Sequence, residues 1–281
     1  MESEKVIKIA WFGKYFWEEP VLVGLEKQGT GSIFFSGCNL RCIFCQNYQI
    51  SQEGMGKLYS ENDLVDMMLQ LQKMGAVTID LVSPTIWWRQ IKRTLLRAKK
   101  QGLTIPIIWN SNGYEDVAVL KQLRGLIDIY LPDFKYGDDR VAWRYSKARN
   151  YSRIAFQAIK EMFFQVGLLK VDEHLVAEKG LIVRHLVLPN NVKNSKRVLD
   201  LLAKISKDIH ISLMSQYCPV YKAKEYPEVN RKIAKEEFQK VFDYFQSLGF
   251  HNGWIQEEEH DGLLPDFRRS NPFRYNKMDI D

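Results

Sequence analysis

The 281-residue sequence lacks any long hydrophobic run, and this absence excludes a membrane-spanning helix. Such a helix needs about 20 consecutive apolar residues, whereas the apolar segments here have the length of strands. The beginning of the chain also lacks the apolar segment and small-residue cleavage site of a secretory signal. We therefore expect a cytoplasmic protein with no membrane partner.

Dense clusters of positive charge are also missing. Lys and Arg number 40 against 34 Asp and Glu, which gives a net charge of +6. The basic residues are scattered over helical segments with acidic residues nearby, and no nucleic-acid-binding module is recognisable. This pattern is typical of solvated helix faces, so we expect no nucleic-acid partner.

Strand-length apolar segments alternate with longer amphipathic segments along most of the chain. The strand candidates are rich in Ile, Val, Leu and Tyr, which is typical of parallel strands covered on both faces. They read SIFFSG, AVTIDLVS, IPIIWNSN, LIDIYLPDF, LIVRHLVLP, IHISLMSQY and, more weakly, GWIQE. One helix has a clear start, since Ser60 and Asp63 make a capping signal before LVDMMLQLQKM.

No glycine-rich dinucleotide fingerprint follows the first of these strands. About six β–α units without that fingerprint favour an α/β barrel or part-barrel over a Rossmann sheet, with the chemistry at the carboxyl ends of the strands. A linker between domains is not visible either. The sequence therefore predicts one domain over residues 1–281, with a lead-in over 1–29, a core over about 30–250 and a C-terminal extension over about 251–281.

Cysteine is scarce, yet three of the four cysteines lie close together. Cys38, Cys42 and Cys45 directly follow the first predicted strand. This arrangement is not a disulfide framework, and in a reducing cytosol such a group more often binds metal. A structural zinc would need a distant fourth ligand. A [4Fe–4S] cluster held by three cysteines leaves one iron open for a group such as S-adenosylmethionine, and we favour this interpretation.

The spacing C-x3-C-x-F-C resembles the signature of the radical S-adenosylmethionine (SAM) superfamily. Further segments resemble pyruvate formate-lyase-activating-enzyme-like proteins, in the same order along nearly the whole chain: LVSPT, NSNGYEDV, DIYLPDFKYGDD, YSKARNY, VRHLVLP, LMSQY and NGWIQE. This resemblance implies a partial (β/α)6 TIM-like barrel of the radical SAM type with a C-terminal extension. It also implies a [4Fe–4S] cluster, cleavage of SAM to a 5′-deoxyadenosyl radical, and a low-potential electron donor of the flavodoxin or ferredoxin type.

The same resemblance assigns site residues. It implies that the cluster ligands are Cys38, Cys42 and Cys45. It also implies that Asn110, Ser111 and Asn112, at the end of the third strand, match an activase segment beside the cofactor. Phe44, next to a cluster ligand, would either shield the cluster from water or pack as an ordinary core residue.

Charged and hydroxyl side chains at later strand ends complete the implied cofactor site. Asp133 and Lys135 match an activase DLK segment and share one face of their strand, so Asp133 would hold a cation or the cofactor's ammonium and Lys135 its carboxylate. Arg184 stands in an apolar run and needs a partner, either a bound carboxylate or Asp133. Ser215 and Tyr217 are expected to share a face and touch the cofactor. Structural ion pairs and turn hydrogen bonds are the alternatives.

The sequence departs from the family pattern at several positions. It reads SPT, with Ser83 and Thr85, where many superfamily members carry a GGE segment that holds the methionyl amino group. Ile86 and Phe163 stand where the family usually has His. The G-x-G-I-R lead-in of true glycyl-radical activases is also absent, which argues against simple equivalence with them.

Several other residues allow two interpretations each. Cys218 is either a hydrogen-atom donor or a buried inert thiol. Glu18 and Glu19 either belong to the family's N-terminal segment or are exposed acids, and Trp87 and Trp88 either line a substrate entrance or pack on a helix. The acidic run Glu257–His260 either binds metal or is solvated. The substrate is a glycine of a partner protein or a small molecule, and a tail after His260 would cap the mouth for the latter. A non-catalytic iron–sulfur protein for electron transfer or sensing, and a zinc-stabilised binding protein, are the rival hypotheses.

Overall fold

One twisted sheet dominates the computed structural model, which describes residues 6–24, 28–256 and 264–273. Among these residues the strands are β1 (Val6–Tyr15), β2 (Thr30–Phe35), β3 (Lys57–Ser60), β4 (Ile79–Val82), β5 (Ile107–Ser111), β6 (Ile129–Pro132), β7 (Lys170–Val171), β8 (Ala177–Leu186), β9 (His210–Met214) and β10 (Gly253–Gln256). Their order is β10-β9-β8-β6-β5-β4-β2-β1-β3, with β7 paired to β8.

The parallel part of the sheet runs from β2 through β4, β5, β6, β8 and β9 to β10. Within the described ranges β10 and β3 stand at opposite ends of the strand order, so the barrel stays open. All seven strand candidates of the sequence are present, including the weak one at GWIQ. The α/β fold with a partial TIM-like barrel is thereby confirmed.

The longer helices pack on the outside of the sheet, whereas the short first helix lies inside the open barrel. The helices of the described residues are α1 (Pro20–Val23), α2 (Tyr48–Ser51), α3 (Glu61–Lys73), α4 (Trp88–Lys100), α5 (Val117–Leu123), α6 (Asp139–Ser146), α7 (Tyr151–Val166), α8 (Val192–Ala203) and α9 (Lys235–Ser247). The predicted start of α3 is correct, because Ser60 and Asp63 form a reciprocal capping box. No helix in the described ranges combines the length and apolar character needed to cross a membrane.

The segment VAWRYSKARNYSRIAFQAIKEMFFQVG, whose amphipathic pattern predicts one long helix, forms parts of two helices. The segment after β6 breaks between α6 and α7, where Lys147 and Asn150 take left-handed backbone angles of φ 55° and 53°. The break makes a corner that holds the cysteine loop, since Arg41 N–H donates to Ser146 O at 3.0 Å and Ile43 N–H donates to Tyr145 O at 2.9 Å. Local propensity did not reveal this break because neither position is Gly or Pro.

The two faces of the sheet differ in polarity. The outward face carries large apolar residues such as Ile33, Trp109 and Val183, which pack against the helices in the main core. The inward face carries polar residues, among them Asp80 on β4 and Arg184 on β8. Because side chains alternate along a strand, this face points into the barrel and its polar groups collect there.

Within the expected lead-in over 1–29, the described residues include β1, which belongs to the sheet. β1 pairs antiparallel with β2, and the chain after β1 enters the open barrel. There Leu22 is fully buried against Ile108, Ile129 and Leu131, and its carbonyl accepts a hydrogen bond from Thr78 Oγ1 at 2.9 Å. Residues of α1 thus pack inside the barrel.

The described part of the C-terminal extension, residues 264–273, lies against the barrel mouth and is called the closing segment here. Phe267 and Phe273 pack with Phe34 in a small buried cluster. Gln49 anchors the segment, since its Nε2 donates to Asp266 Oδ1 at 3.0 Å and its Oε1 accepts from Phe267 N–H at 2.7 Å. The metal-binding alternative for Glu257–His260 falls outside the described residues.

Candidate cofactor site

A cavity of about 290 Å³ opens at the carboxyl ends of the parallel strands. The structure brings all the candidate residues except Ser215 to its wall. These lining residues are Cys38, Cys42, Cys45, Asn110, Ser111, Asn112, Asp133, Lys135, Arg184 and Tyr217. They come from the β2, β5, β6, β8 and β9 ends, so a parallel sheet gathers residues that are far apart in sequence.

A tight turn carries the chain from β2 into the cysteine loop. Gly37 has φ 91°, and a Cβ added there would stand 2.6 Å from Ile86 Cδ1. Glycine therefore meets the backbone requirement one residue before Cys38, and a larger residue would also displace the end of the Ile86 side chain. The other side of the loop is tied to the α6–α7 corner, so the three cysteines are held between two fixed points.

Each cysteine sulfur has a polar neighbour. Ser146 Oγ donates to Cys42 Sγ at 3.0 Å, and Asn112 Nδ2 lies 3.3 Å from Cys38 Sγ. Cys45 Sγ lies 3.2 Å from Ser51 Oγ. Hydrogen bonds to sulfur are one of the ways in which proteins tune iron–sulfur clusters.

Burial raises the pKa of two of the three thiols. It raises the pKa of Cys42 to about 12, and the neighbouring Cys45 and Cys38 add to this rise. It likewise raises the pKa of Cys45 to about 11. A bound metal deprotonates a coordinating thiol, so occupancy and ionisation of this loop would be linked.

The donor set fits an iron–sulfur cluster. Three thiols of one loop face one cavity, and they are close enough to influence each other's ionisation. Among the described residues no three Cys, His, Asp or Glu side chains form a closed ligand group.

Arg184 is the centre of a buried charge network opposite the cysteines. Its Nε donates to Asp133 Oδ1 at 3.1 Å, its Nη1 to Glu18 Oε2 at 2.9 Å and its Nη2 to Asn110 Oδ1 at 2.6 Å. Lys135 Nζ pairs with the other oxygen of Asp133 at 2.6 Å. Asp133 and Lys135 thus share one face as expected, and Asp133 is the partner of Arg184.

The network sets the ionisation of its members. Burial raises the pKa of Asp133, but Lys135 and Arg184 outweigh burial and hold that pKa below its usual value. Burial lowers the pKa of Lys135, and Asp133 more than restores it, so the ammonium stays charged. Burial raises the pKa of Glu18 well above its usual value although Arg184 opposes the rise. The cavity wall therefore carries fixed positive and negative charges together.

Sequence reasoning missed the acids beneath this network. Glu19 is buried and the Glu18 side chain is only 10% exposed, because the chain after β1 enters the barrel. Asp80 is fully buried on β4, where Ser32 Oγ and Asn110 Nδ2 each lie 3.3 Å from its Oδ2. Asp80 interrupts an apolar strand just as Arg184 does, so the same signal pointed to it. Glu18 offered no such signal, since its contact depends on the path of a loop.

The β5 end is fixed by Tyr151 from α7. Its hydroxyl accepts from Lys135 N–H at 2.9 Å and donates to Asn112 O at 2.7 Å. Asn112 Nδ2 also donates to Asn39 Oδ1 at 2.7 Å. The segment Asn110–Asn112 thus links the charge network, the cysteine loop and the end of β6.

The β9 end separates the two residues that were expected to act together. Tyr217 lines the cavity, packs edge-on against Phe44 with ring centroids 5.6 Å apart, and donates its hydroxyl to Val229 O at 2.8 Å. Ser215 lies off the cavity wall and donates to Gln256 O at 3.1 Å, because β10 pairs beside it. Cys218 is half-buried and lines the same cavity.

The β4 end keeps an unusual backbone despite the SPT sequence. Ser83 lines the cavity with φ 58°, a left-handed conformation that glycine adopts more easily. Thr85 turns away from the cavity and donates to Glu115 Oε1 at 2.7 Å. Trp87 donates to Ser36 O at 2.8 Å, and Trp88 lines a separate outer groove, so neither forms the wall of the main cavity.

Aromatic residues form the wall beside β1 and β2. Tyr15, Trp17, Phe34 and Phe273 all line the cavity. The Phe273 ring centroid lies 4.8 Å from that of Tyr15 and 5.2 Å from that of Phe34. The closing segment thereby completes an apolar wall that faces the charged wall of β6 and β8.

Three comparisons bear on this site. The profile described as "Radical SAM superfamily" matches residues 32–176, which include the cysteine loop and the β5 and β6 ends. The uncharacterized protein MJ0674 of Methanocaldococcus jannaschii is 33% identical over 236 residues, covering 80% of this chain and 63% of that protein. This chain therefore spans less than two thirds of that relative.

Solved structures share the fold at low sequence identity. Streptococcus suis SuiB bound to precursor peptide SuiA has a TM-score of 0.55 and 14% identity, over 80% of this chain and 47% of that one. The FeFe-hydrogenase maturase HydG from Carboxydothermus hydrogenoformans has a TM-score of 0.51 and 12% identity, over 78% of this chain and 50% of that one. With its profile match over more than half of its length and its three-cysteine loop at the barrel mouth, the chain belongs to the radical SAM superfamily.

Proposed function

We propose that this chain is a radical SAM enzyme that binds a [4Fe–4S] cluster through Cys38, Cys42 and Cys45. The observation that carries the proposal is the meeting of these thiols with the buried ion pairs of Asp133, Lys135 and Arg184 in one cavity of about 290 Å³. When bound, the cluster supplies the electron that cleaves SAM, giving a 5′-deoxyadenosyl radical that takes a hydrogen atom from the substrate.

The chain's own residues bind and orient the cofactor in this proposal. Lys135 offers its ammonium to the methionyl carboxylate, and Asp133 accepts from the methionyl ammonium. Arg184 holds Asp133 in place from below. The side chains that contact the rest of the cofactor are Asn110, Ser111, Asn112 and Tyr217. Ser215 acts only indirectly, by anchoring β10.

The closing segment favours a small substrate. Pro265 and Phe273 line the cavity, and Phe273 is only 6% exposed in its aromatic cluster. Because the closing segment lies against the mouth of the cavity, an extended protein loop would enter only if that segment moved. We therefore favour a small molecule with an apolar part that contacts Phe34 and Tyr15.

A glycine of a partner protein is the second candidate. The activating-enzyme-like sequence segments favour it, and the structural neighbour SuiB binds a precursor peptide. The remaining parts of the proposal follow the sequence: one radical SAM domain over residues 1–281, a cytoplasmic location and a low-potential flavodoxin or ferredoxin as electron donor.

The decisive experiment compares Cys42→Ala with Cys218→Ala as matched control. Both proteins are reconstituted anaerobically with iron and sulfide, reduced with dithionite, given SAM and assayed for 5′-deoxyadenosine. We expect a brown wild type and control that absorb near roughly 400 nm and form product, while Cys42→Ala forms none. A colourless protein that binds zinc would contradict the proposal, and a reducible cluster without product would favour the electron-transfer or sensor hypothesis.

A second experiment separates the two substrate classes. Cell extract is divided by ultrafiltration into small molecules and macromolecules, and each fraction is added to the cleavage assay with SAM. We expect the small-molecule fraction to increase 5′-deoxyadenosine formation. Stimulation by the macromolecular fraction alone, with deuterium transfer from a labelled protein, would support the glycine candidate instead.

A further inference from the structure

A basic surface lies directly outside the cysteine loop and has no role in the cavity. We define the basic corner as Arg41, Trp143, Lys147 and Arg149, all of which are exposed. We propose that the basic corner is the docking surface for an acidic electron-carrier protein that reduces the cluster; this rests on the proposed function.

The charges of the basic corner are uncompensated. Arg41, Lys147 and Arg149 form no ion pair with a carboxylate among the described residues, whereas the nearby Arg144 is paired with Glu228 at 2.6 Å. Exposed like charges that stay close together repel each other. A fold that keeps three of them together leaves a surface that attracts an anionic partner.

An exposed indole organises this charge. The Trp143 side chain is 46% exposed, with Lys147 Nζ 5.6 Å and Arg149 Cζ 5.1 Å from its ring. Cation–π contacts at exposed sites hold the cations over the ring. The result is a flat aromatic centre with a cationic rim, and aromatic and Arg residues are typical of interface centres.

The position of the basic corner indicates electron transfer. Arg41 Nη1 donates to Cys38 O at 2.7 Å, and its backbone N–H donates to Ser146 O. Ser146 in turn donates to Cys42 Sγ, and Lys147 is its neighbour in the chain. Two of the three cluster ligands are therefore reached from this surface through one or two hydrogen bonds. Interfaces between redox partner proteins are small, and their association depends on complementary charge, which suits a patch as compact as the basic corner.

The electron balance of the step is simple. One electron leaves the reduced carrier, for example a flavin hydroquinone that becomes a semiquinone, and converts [4Fe–4S]2+ to [4Fe–4S]1+. No bond between the two proteins forms or breaks. The low-potential carrier is the only reductant that the step needs.

The test uses the reconstituted holoprotein and a purified acidic flavodoxin as probe. The variant is Lys147→Glu with Arg149→Glu, which leaves the cysteine loop untouched. The matched control is Lys204→Glu with Lys207→Glu, two exposed lysines near the amino-terminal end of β9. Binding is measured by biolayer interferometry at several salt concentrations, and cluster reduction by stopped-flow absorbance.

We expect the corner variant to bind flavodoxin about tenfold or more weakly at low salt, with a shallower salt dependence, and the control to bind like the wild type. Reduction by flavodoxin should slow by a similar factor, while reduction by dithionite stays unchanged. Equal binding by the two variants would refute the docking surface. Failure of the proposed function is distinguishable, because it would show as no 5′-deoxyadenosine from the wild type even with dithionite.

Discussion

Asp80 offers a direct measure of the charge buried in the barrel. Burial raises its pKa to about 7, although Arg184 and hydrogen bonds from Asn110 and Ser32 oppose the rise. Its Oδ1 finds no hydrogen-bond partner among the described residues. The folded protein therefore holds a carboxyl that is neutral in mild acid and charged, with incomplete hydrogen bonding, above neutral pH.

The sign of the effect on stability follows from this raised pKa. A pKa that is higher in the folded than in the unfolded chain makes the free energy of unfolding largest below about pH 4. That stability is lost as the pH rises toward 7. A difference of one unit between the pKa in the folded and in the unfolded chain corresponds to about 1.4 kcal/mol of stability. After the coupling of Asp80 to Arg184 is allowed for, the free energy of unfolding should therefore fall by about 2 to 4 kcal/mol over this pH range.

Asp80→Asn keeps the shape of the side chain and removes its charge. We expect the free energy of unfolding of the variant, taken relative to that of the wild type, to rise by about 2 to 4 kcal/mol from pH 4 to pH 8. Any penalty from an unpaired amide N–H is the same at both pH values and cancels in this difference. Guanidinium unfolding at several pH values, followed through tryptophan fluorescence, measures it.

Asp66→Asn is the matched control, because Asp66 is exposed on α3. We expect its stability to follow that of the wild type across the pH range. If Asp80→Asn also follows the wild type at every pH, the buried-charge reasoning for the whole barrel interior is refuted. If the free energy of unfolding of the variant, relative to that of the wild type, is lower at pH 8 than at pH 4, the predicted direction of the pH effect is wrong.

Three further predictions concern single contacts. Ser60→Ala removes the capping box of α3 and should lower the free energy of unfolding by about 1 kcal/mol in chemical denaturation. Ser146→Ala removes the hydrogen bond to Cys42 Sγ and should lower the reduction potential of the proposed cluster, as measured by an EPR-monitored titration, with iron content unchanged. Phe273→Ala should lower the free energy of unfolding by up to about 3 kcal/mol and speed the alkylation of Cys218, which mass spectrometry follows. Unchanged alkylation would show that the closing segment does not cover the cavity.

The parallel strands of the barrel were predictable because both faces of each are buried. Strands such as β4 and β5 are buried at every position, and that burial requires the continuous apolar runs that the sequence shows. β1 lacked this signal, since it pairs antiparallel between β2 and β3 and mixes Lys8 and Lys14 with apolar residues. Its place depends on partners that one sequence does not identify.

The cavity residues also divide into those that the sequence predicts and those that it does not. Strand-end residues such as Asp133 and Arg184 were found because parallel topology alone gathers them. The contact between Glu18 and Arg184 spans 166 positions and depends on how the N-terminal segment enters the barrel. Phe273 reaches the cavity only because the closing segment folds back over Phe34. Long-range contacts of loops leave no local pattern, and these are the parts that sequence reasoning missed.

The two positions where the family usually has His lie outside the cavity. Ile86 is 45% exposed in the outer groove and packs over Gly37, and Phe163 is half-buried on α7 against the main core. Neither lines the cavity that holds Asp133 and the cysteines. An imidazole at position 86 would act beside the cysteine loop, near the outer surface. The Ile at this position therefore leaves the contacts among the residues proposed to hold SAM unchanged.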